Sequence, residues 1–218
     1  MDLPLDIAKY IEHSNLKPYA TKEDIKKLCE EAVKYNFYGV CVNPYYVPYV
    51  KQLLTGKDIK IITVVGFPLG ANKLKTKLVE ATTAQNDGAD ELDIVWNISA
   101  FKSGEYDYIV EELKTIIEYT KPLVHKVIIE TAYLRLKEKF KAVELLIEAG
   151  ADFLKTSTGF ASEGAKLEDI RLFKEISQGK LKIKASGGIK DKQTALKMIE
   201  FGADRIGTSH GVEIVNEQ

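Results

Sequence analysis

Short apolar runs alternate with longer amphipathic segments along almost the whole chain. The runs are rich in Ile and Val and predict buried β-strands, whereas the segments carry apolar residues three or four positions apart and predict α-helices. The predicted strands cover residues 11–14, 38–43, 60–66, 91–96, 126–131, 152–156, 181–185 and 205–208. The predicted helices cover residues 22–35, 44–54, 73–86, 106–119, 137–148, 167–176 and 191–201.

Helix boundaries are marked by the chemistry of the residues beside them. Thr21 directly precedes one amphipathic segment and Asp191 begins another, and both are predicted N-caps, because their side chains can accept hydrogen bonds from the first turn. The triplet Gly-Ala-Asp occurs after three such segments, beginning at Gly88, Gly150 and Gly202. A glycine in this position is typical of a helix C-cap followed by a short loop into the next strand.

Eight strands that alternate with helices predict a parallel sheet of the α/β class, and eight is the number that closes into a (β/α)8 TIM barrel. We expect one domain over residues 1–218, which is near the lower size limit of this fold. The alternative is an open doubly wound sheet. That fold usually carries a glycine-rich turn after its first strand, whereas His13, Ser14 and Asn15 stand here.

Composition excludes several classes of function. The 31 Lys and Arg residues balance 32 Asp and Glu, and a net charge of -1 gives no general attraction to nucleic acid or to an anionic membrane. No run approaches the length of a transmembrane helix, and two cysteines are too few for a disulfide framework, so we expect a cytoplasmic protein. Residues 213–218 are predicted to be a frayed end.

The most informative residue is Lys155, which ends an apolar run and is followed by Thr156, Ser157 and Thr158. A free amine at this position could attack a carbonyl, but an ordinary lysine has a pKa near 10.4, so burial and a second nearby cation are needed to release the amine. Lys184 lies at the end of the next strand-like run, residues 181–184, and could be that cation.

Further polar residues are predicted near the ends of other strands. They are Glu12, Asp93 and Lys126. Asp93 lies within an apolar run, where a lysine partner would keep its carboxylate ionised. Taken singly, each such residue could belong to a structural ion pair. Together with the two lysines they favour a catalytic site at the carboxyl end of the barrel.

Glycine and hydroxyl residues follow the last two strands. They are Gly187 and Gly188 after the seventh strand, and Gly207, Thr208 and Ser209 after the eighth. Barrels often bind phosphate between these two loops, although turn glycines without a ligand are also common there. The only histidines are His13, His125 and His210, in no metal-binding spacing, so we expect neither a metal nor another cofactor.

Several longer motifs in this order resemble the deoxyribose-phosphate aldolase family over nearly the whole chain. They are Thr63-Val-Val-Gly-Phe-Pro-Leu-Gly70, Gly88-Ala-Asp-Glu-Leu-Asp93, Lys126-Val-Ile-Ile-Glu-Thr131, Gly150-Ala-Asp-Phe-Leu-Lys-Thr-Ser-Thr-Gly-Phe160, Lys184-Ala-Ser-Gly-Gly188 and Arg205-Ile-Gly-Thr-Ser209. The resemblance implies a metal-free class I aldolase on a TIM barrel. Such an enzyme reversibly cleaves 2-deoxy-D-ribose 5-phosphate to acetaldehyde and D-glyceraldehyde 3-phosphate.

The resemblance also implies residue roles. Lys155 matches the Schiff-base lysine, Lys184 the second lysine that lowers the pKa of the first, and Asp93 the carboxylate that transfers protons. The turns at Gly187–Gly188 and Gly207–Ser209, together with Gly159, match the phosphate-binding loops of the family. The family usually begins its first-strand motif with Asp-His-Thr, whereas this chain has Glu12-His-Ser14, so the contact of Glu12 with a substrate hydroxyl is altered by one methylene.

Three other functions remain open from the sequence. The chain could be a phosphate-binding isomerase, an imine-forming aldolase for a ketose phosphate, or a catalytically silent sugar-phosphate sensor. Barrels of this size commonly pair, and the 11 tyrosines could serve an interface, so we expect a homodimer or homotetramer. A sugar phosphate is the expected small-molecule partner, with neither nucleic acid nor membrane.

Overall fold

The computed structural model describes residues 5–217, and eight strands in this range form one closed sheet. The strands are β1 (Ile11–Asn15), β2 (Gly39–Val42), β3 (Lys60–Val65), β4 (Glu91–Val95), β5 (Val124–Ile128), β6 (Phe153–Lys155), β7 (Lys182–Ser186) and β8 (Arg205–Thr208). Each strand pairs in parallel with the next, and β8 pairs with β1 to close the barrel. The (β/α)8 prediction is therefore confirmed, and the open sheet is excluded.

Helices surround this barrel and connect its strands. They are α1 (Lys22–Tyr35), α2 (Val47–Leu53), α3 (Leu74–Asn86), α4 (Ile98–Lys102), α5 (Tyr106–Tyr119), α6 (Leu136–Ala149), α7 (Leu167–Ser177), α8 (Lys192–Glu200) and α9 (Gly211–Asn216). Both predicted N-caps are confirmed. Thr21 forms a reciprocal capping box with Asp24, and the Asp191 carboxylate accepts the backbone N–H of Thr194 at 2.7 Å.

The three Gly-Ala-Asp triplets form the same turn. Their glycines adopt left-handed φ values of 103°, 80° and 112° at Gly88, Gly150 and Gly202, a conformation that favours glycine. The aspartates that follow have a role that the sequence did not indicate. Their carboxylates accept the backbone N–H groups of Ile61, His125 and Ile183, each at 2.8 Å. Each triplet therefore ends a helix just before a new strand begins. Its aspartate hydrogen-bonds to the preceding strand of the barrel, with which the new strand pairs.

Three segments differ from the sequence prediction. The fifth strand begins at Val124 and ends at Ile128, so Glu130 lies in the loop beyond it with a left-handed φ of 53°. The short helix α4 was not predicted, because five residues are too few to establish a helical period. The prediction of a frayed end at 213–218 is wrong for 213–216, because α9 covers them and buries Ile214; Gln218 lies outside the described residues.

Two clusters of buried apolar side chains stabilise the barrel. The larger cluster fills the space between strands and helices. The smaller one lies inside the barrel on the side of β2 and β3 and consists of Cys41, Ile62 and Val64, with Leu16 and Phe67 packed against it. Charged side chains also lie inside the barrel, packed over the ring of Phe153, and they form the candidate site.

Candidate active site

Lys155 is the last residue of β6, and its side chain is buried at the mouth of the barrel. Only 3% of the residue is exposed to solvent. Its Nζ donates a hydrogen bond to Asp93 Oδ2 at 2.7 Å. The structure therefore places the predicted nucleophile at the end of a strand and against a carboxylate.

Asp93 lies at the centre of the charged cluster. Its Oδ2 also accepts a hydrogen bond from Lys184 Nζ at 2.6 Å. Its Oδ1 accepts one from Lys126 Nζ at 2.9 Å. The strand register explains this convergence, because Asp93 is the direct partner of Lys126 and Lys155 is the direct partner of Lys184. The structure thus brings together the three residues that were predicted to be catalytic.

The three ammonium groups control the charge of Asp93. Complete burial would by itself raise the pKa of the Asp93 carboxyl. The attraction of Lys126, followed by that of Lys155 and Lys184, outweighs burial and holds this pKa well below its ordinary value. Asp93 is consequently an anion at any physiological pH.

A second set of ion pairs lies deeper in the barrel. Lys126 Nζ is 2.5 Å from Glu91 Oε2 and 3.5 Å from Glu12 Oε1. Burial lowers the pKa of Lys126, but the carboxylates of Asp93, Glu12 and Glu91 outweigh burial and raise it well above its ordinary value. Tyr38 donates a hydrogen bond to Glu91 from below. Sequence periodicity could not reveal this layer, since Tyr38 and Glu91 are 53 residues apart.

Glu12 occupies a different place from the one predicted. Its side chain is completely buried and pairs with Lys184, and its Oε1 has no hydrogen-bond partner among the described residues. Burial lowers the pKa of Lys184, but Asp93 and then Glu12 reverse this effect and raise it. Glu12 is therefore placed to hold the second lysine and not to line the cavity.

A cavity of about 670 Å³ opens above this cluster at the carboxyl ends of the strands. Lys155 and Lys184 form part of its floor, whereas Asp93 and Glu12 lie beneath the lining. The residues predicted to bind phosphate all line it: Gly159, Gly187, Gly188, Gly207, Thr208 and Ser209. The amines and the glycine loops thus face one space.

Gly207 has a structural reason of its own to be glycine. It lies within β8, and a Cβ at this position would come within 2.9 Å of Lys184 Cε. The neighbouring hydroxyl is also engaged, because Thr208 Oγ1 donates to the Ile189 carbonyl at 2.6 Å. Gly187 and Gly188 instead adopt φ values of 86° and 79°, which turn the chain at the cavity wall.

Comparison with known proteins agrees with this geometry. A sequence model of the DeoC/LacD family of aldolases matches residues 2–215. The chain belongs to this aldolase family. A deoxyribose-phosphate aldolase of Thermococcus gammatolerans is 55% identical over 215 residues, covering 97% of this chain and 96% of the relative. One of Aquifex aeolicus is 53% identical and covers 98% of this chain and 96% of the relative.

Solved aldolase structures share the fold of this family member. A structure described as QR15, an aldolase, is 53% identical with a TM-score of 0.95, and the match covers 98% of this chain and 96% of that one. A deoxyribose phosphate aldolase from Aeropyrum pernix, described as a unique tetramer, is 33% identical with a TM-score of 0.89. That match covers 96% of this chain and 89% of the other.

The loop after Lys155 is held in place by hydrogen bonds of hydroxyl groups. Thr156 Oγ1 donates to the Ser186 carbonyl at 3.1 Å, and Ser186 Oγ donates to the Ser157 carbonyl at 2.6 Å. Thr158 donates to Glu130 through its hydroxyl, and burial raises the pKa of Glu130. Glu130 was not predicted as a site residue, because its contact depends on the left-handed turn after β5.

The described part of this aldolase offers neither a metal site nor a membrane span. Within residues 5–217, no group of three or more His, Cys, Asp or Glu side chains is arranged to hold a metal ion. In the same part of the chain, every helix is too short or too polar to cross a lipid bilayer.

Proposed function

We propose that this chain is a class I aldolase that reversibly cleaves 2-deoxy-D-ribose 5-phosphate to acetaldehyde and D-glyceraldehyde 3-phosphate, with Lys155 as the amine that forms the imine. The observation that carries the proposal is the buried Lys155 amine, bonded to Asp93 and facing a cavity whose far wall is formed by glycine loops. Membership of an aldolase family supports the same reaction.

The first step joins the sugar to the enzyme. Lys155 loses its proton, its Nζ attacks C1 of the open-chain aldehyde, and the resulting carbinolamine loses water to give a protonated imine. The positively charged imine can then accept the electron pair released when the C2–C3 bond breaks. No metal is needed for this step, because the imine supplies the electron sink.

Proton transfers complete the cycle. A base removes the proton of the C3 hydroxyl as the C2–C3 bond breaks, which releases glyceraldehyde 3-phosphate and leaves an enamine on Lys155. Asp93 lies beneath the cavity lining, so it is proposed to serve this transfer through Lys184, which lines the cavity and contacts Asp93 Oδ2 at 2.6 Å. Protonation of the enamine at C2 and hydrolysis of the new imine release acetaldehyde and restore Lys155.

The phosphate is assigned to the other end of the cavity. Backbone N–H groups of the loops at Gly187–Gly188 and at Gly207–Ser209, with those at Gly159, are the proposed ligands. Glu12 is proposed to act on this reaction through Lys184.

Two measurements test the proposal. Acetaldehyde should form from deoxyribose 5-phosphate in the presence of a chelator, and an isomerase or a silent sensor would release none. Borohydride reduction with acetaldehyde alone should leave an N-ethyl group on Lys155, located by peptide mass mapping, whereas an aldolase specific for ketose phosphates would not be trapped. Lys155→Met should abolish labelling, while Lys182→Met, at the exposed start of β7, should not. Labelling at Lys184 would overturn the assignment of roles.

A homo-oligomer, dimeric or tetrameric, belongs to the same proposal. The related Aeropyrum pernix enzyme is described as a tetramer. This chain also exposes apolar side chains just before α6 and in its first turns, with Tyr133, Leu136 and Phe140 exposed by 52%, 63% and 43%. Light scattering coupled to size-exclusion chromatography measures the mass directly, and a mass near 24.4 kDa would show a monomer.

A cytoplasmic location is likewise proposed. Both cysteines, Cys29 and Cys41, are free thiols buried in the fold, which is compatible with a reducing compartment. Fractionation of the source cells with an antibody to the protein tests this location.

A further inference from the structure

The loop between β6 and α7, residues 156–166 and here called the β6 loop, lies against the turn that follows β7. The backbone N–H of Ala165 donates to two successive carbonyl oxygens of that turn, those of Ser186 at 3.0 Å and Gly187 at 3.1 Å. Both loops carry glycines that are proposed above to bind phosphate. The two sides of the proposed phosphate site are therefore joined by backbone hydrogen bonds.

Gly164 lies in direct backbone contact with the β7 turn. A Cβ built on it would be 2.1 Å from the Gly187 carbonyl oxygen and 3.0 Å from Gly187 Cα. The φ of Gly164 lies outside the left-handed region, so its backbone conformation does not by itself require glycine. Real Cβ atoms essentially never come within 3.0 Å of such an atom, so an alanine would force the two backbones apart by about 0.9 Å. The close approach of the β7 turn is thus the reason for glycine at this position.

The contact fixes the direction of an N–H group on the opposite edge of one peptide. The Gly187 carbonyl and the Gly188 N–H belong to the same planar trans peptide, in which they point in opposite directions. Ala165 holds the carbonyl and Gly164 packs against it, so the N–H points away from the β6 loop. Gly188 lines the cavity, whereas Gly164 does not. Gly164 therefore orients a proposed phosphate ligand without contacting the substrate.

The beginning of the β6 loop is held by different groups. The Thr158 hydroxyl donates to Glu130, and the backbone N–H of Phe160 donates to Thr158 Oγ1 at 3.0 Å. Gly159 lies between these two residues and lines the cavity. A displacement at Gly164 would consequently change the distance between Gly159 and the β7 turn.

We propose that Gly164 is a positioning residue, which holds the β6 loop and the β7 turn together as one preformed surface for the phosphate group of the substrate. This inference rests on the proposed function. Backbone donors that are fixed before binding need no reorganisation when the charged group arrives. Misplacement of a binding group by about 1 Å can lower the rate of a reaction about 100-fold.

The test compares a phosphorylated and an unphosphorylated sugar on Gly164→Ala. We expect kcat/KM for deoxyribose 5-phosphate to fall at least about tenfold, because the N–H groups of the two loops no longer fit one phosphate. The kcat/KM for 2-deoxyribose should stay within about twofold of the parent value, since this sugar gains no binding energy from the loops. The inhibition constant of inorganic phosphate should rise about tenfold. Ser162→Ala, at an exposed position of the same loop, should leave all three values unchanged.

These readouts separate positioning from a general loss of stability. A variant that is only less stable would lose activity on both sugars in the same proportion, and this result would overturn the proposal. A folded variant whose kcat/KM for the 5-phosphate stays within about twofold of the parent would overturn it as well.

Hydrogen exchange of the parent protein keeps the test decisive if Gly164→Ala does not fold. In a preformed surface the Ala165 amide exchanges slowly without any ligand, and inorganic phosphate adds little protection. Fast exchange of this amide that slows only when phosphate is added would contradict the proposal. A parent protein that forms no acetaldehyde from deoxyribose 5-phosphate would instead overturn the proposed function, and this inference with it.

Discussion

At the scale of single residues, the site depends on one carboxylate shared by three amines. Asp93 has no exposed surface, and all its contacts described above are with lysines on β5, β6 and β7. Removal of one partner from such a buried group costs more than the pair contributes, because the remaining charge keeps its desolvation penalty. Asp93 is therefore both a candidate for proton transfer and a determinant of stability.

The pKa of Asp93 makes its contribution to stability depend on pH in a definite direction. The pKa is well below 3.8 in the folded protein, so the unfolded chain takes up the proton first. The contribution is complete above about pH 5 and is lost below 3.8, at up to about 1.4 kcal/mol per pH unit. The destabilisation caused by Asp93→Asn should consequently shrink between pH 5 and pH 3, as measured by urea unfolding.

Glu112 provides a control of opposite sign. Burial raises its pKa above the ordinary value of 4.5, so the folded protein takes up the proton first and the charged form is disfavoured. The destabilisation caused by Glu112→Gln should therefore grow as the pH falls toward 4.5. Equal pH dependence of the two variants would contradict the assignment of Asp93 as a strongly ion-paired carboxylate.

Glu12 gives a prediction about turnover. Its carboxylate pairs with Lys184 from beneath the cavity lining, and Glu12→Asp shortens the side chain by one methylene. We expect kcat to fall about tenfold with little change in KM, which corresponds to about 1.4 kcal/mol in the transition state. Steady-state kinetics with deoxyribose 5-phosphate measures both. A change confined to KM would indicate that Glu12 contacts substrate directly.

At the scale of helices and strands, alternation and capping residues were sufficient to predict the barrel, and the end of β6 was sufficient to predict the place of Lys155. Lys184 was expected at a strand end but lies in the middle of β7, because this strand continues to Ser186. The partners of these lysines were harder to predict. Lys126 was expected near a strand end but lies in the middle of β5, because the strand begins at Val124. Contacts between distant strands, such as that of Glu12 with Lys184, depend on closure and register, which no local pattern contains.

A buried ion pair between α3 and α5 offers a test at this scale. Lys77 Nζ is 2.9 Å from Glu112 Oε2, and both side chains have no exposed surface. Burial lowers the pKa of Lys77 and raises that of Glu112 despite their mutual attraction. Both pKa shifts indicate that the attraction between the two charges is smaller than the free-energy cost of removing them from water.

Replacing the pair should therefore have opposite effects depending on whether one or both residues change. Glu112→Leu alone should destabilise the fold by about 3–5 kcal/mol, since it leaves a buried ammonium without its partner. Lys77→Met with Glu112→Leu should be neutral or stabilising by about 1–4 kcal/mol. Guanidinium unfolding of the three proteins measures the difference, and a double variant less stable than the single one would refute this reading of the pKa shifts.

At the scale of the whole molecule, one cavity at the barrel mouth brings the amines of Lys155 and Lys184 together with the glycine loops that follow β6, β7 and β8. Binding energy gained at the phosphate end can position C1 for attack by the amine. The arrangement predicts that substrate recognition and bond cleavage are coupled across the barrel mouth.

Removal of the phosphate should thus impair the reaction and not only binding. We expect kcat/KM for 2-deoxyribose, corrected for its fraction of open-chain aldehyde, to be at least about 100-fold lower than for the 5-phosphate, or about 3 kcal/mol. Acetaldehyde release from the two sugars measures this ratio. Equal kcat/KM values would remove the assignment of the glycine loops as a phosphate site.

The lysines and carboxylates inside the barrel have a consequence for the covalent chemistry. Lys126, Lys155 and Lys184 are paired with the carboxylates of Glu12, Glu91 and Asp93, so the formal charges of these six side chains sum to zero. A protonated imine keeps one positive charge on the nitrogen of Lys155. The covalent intermediate therefore has the same electrostatic pattern as the resting protein. Dipoles and ions that are arranged for the folded state are already arranged for the intermediate, so little reorganisation accompanies its formation.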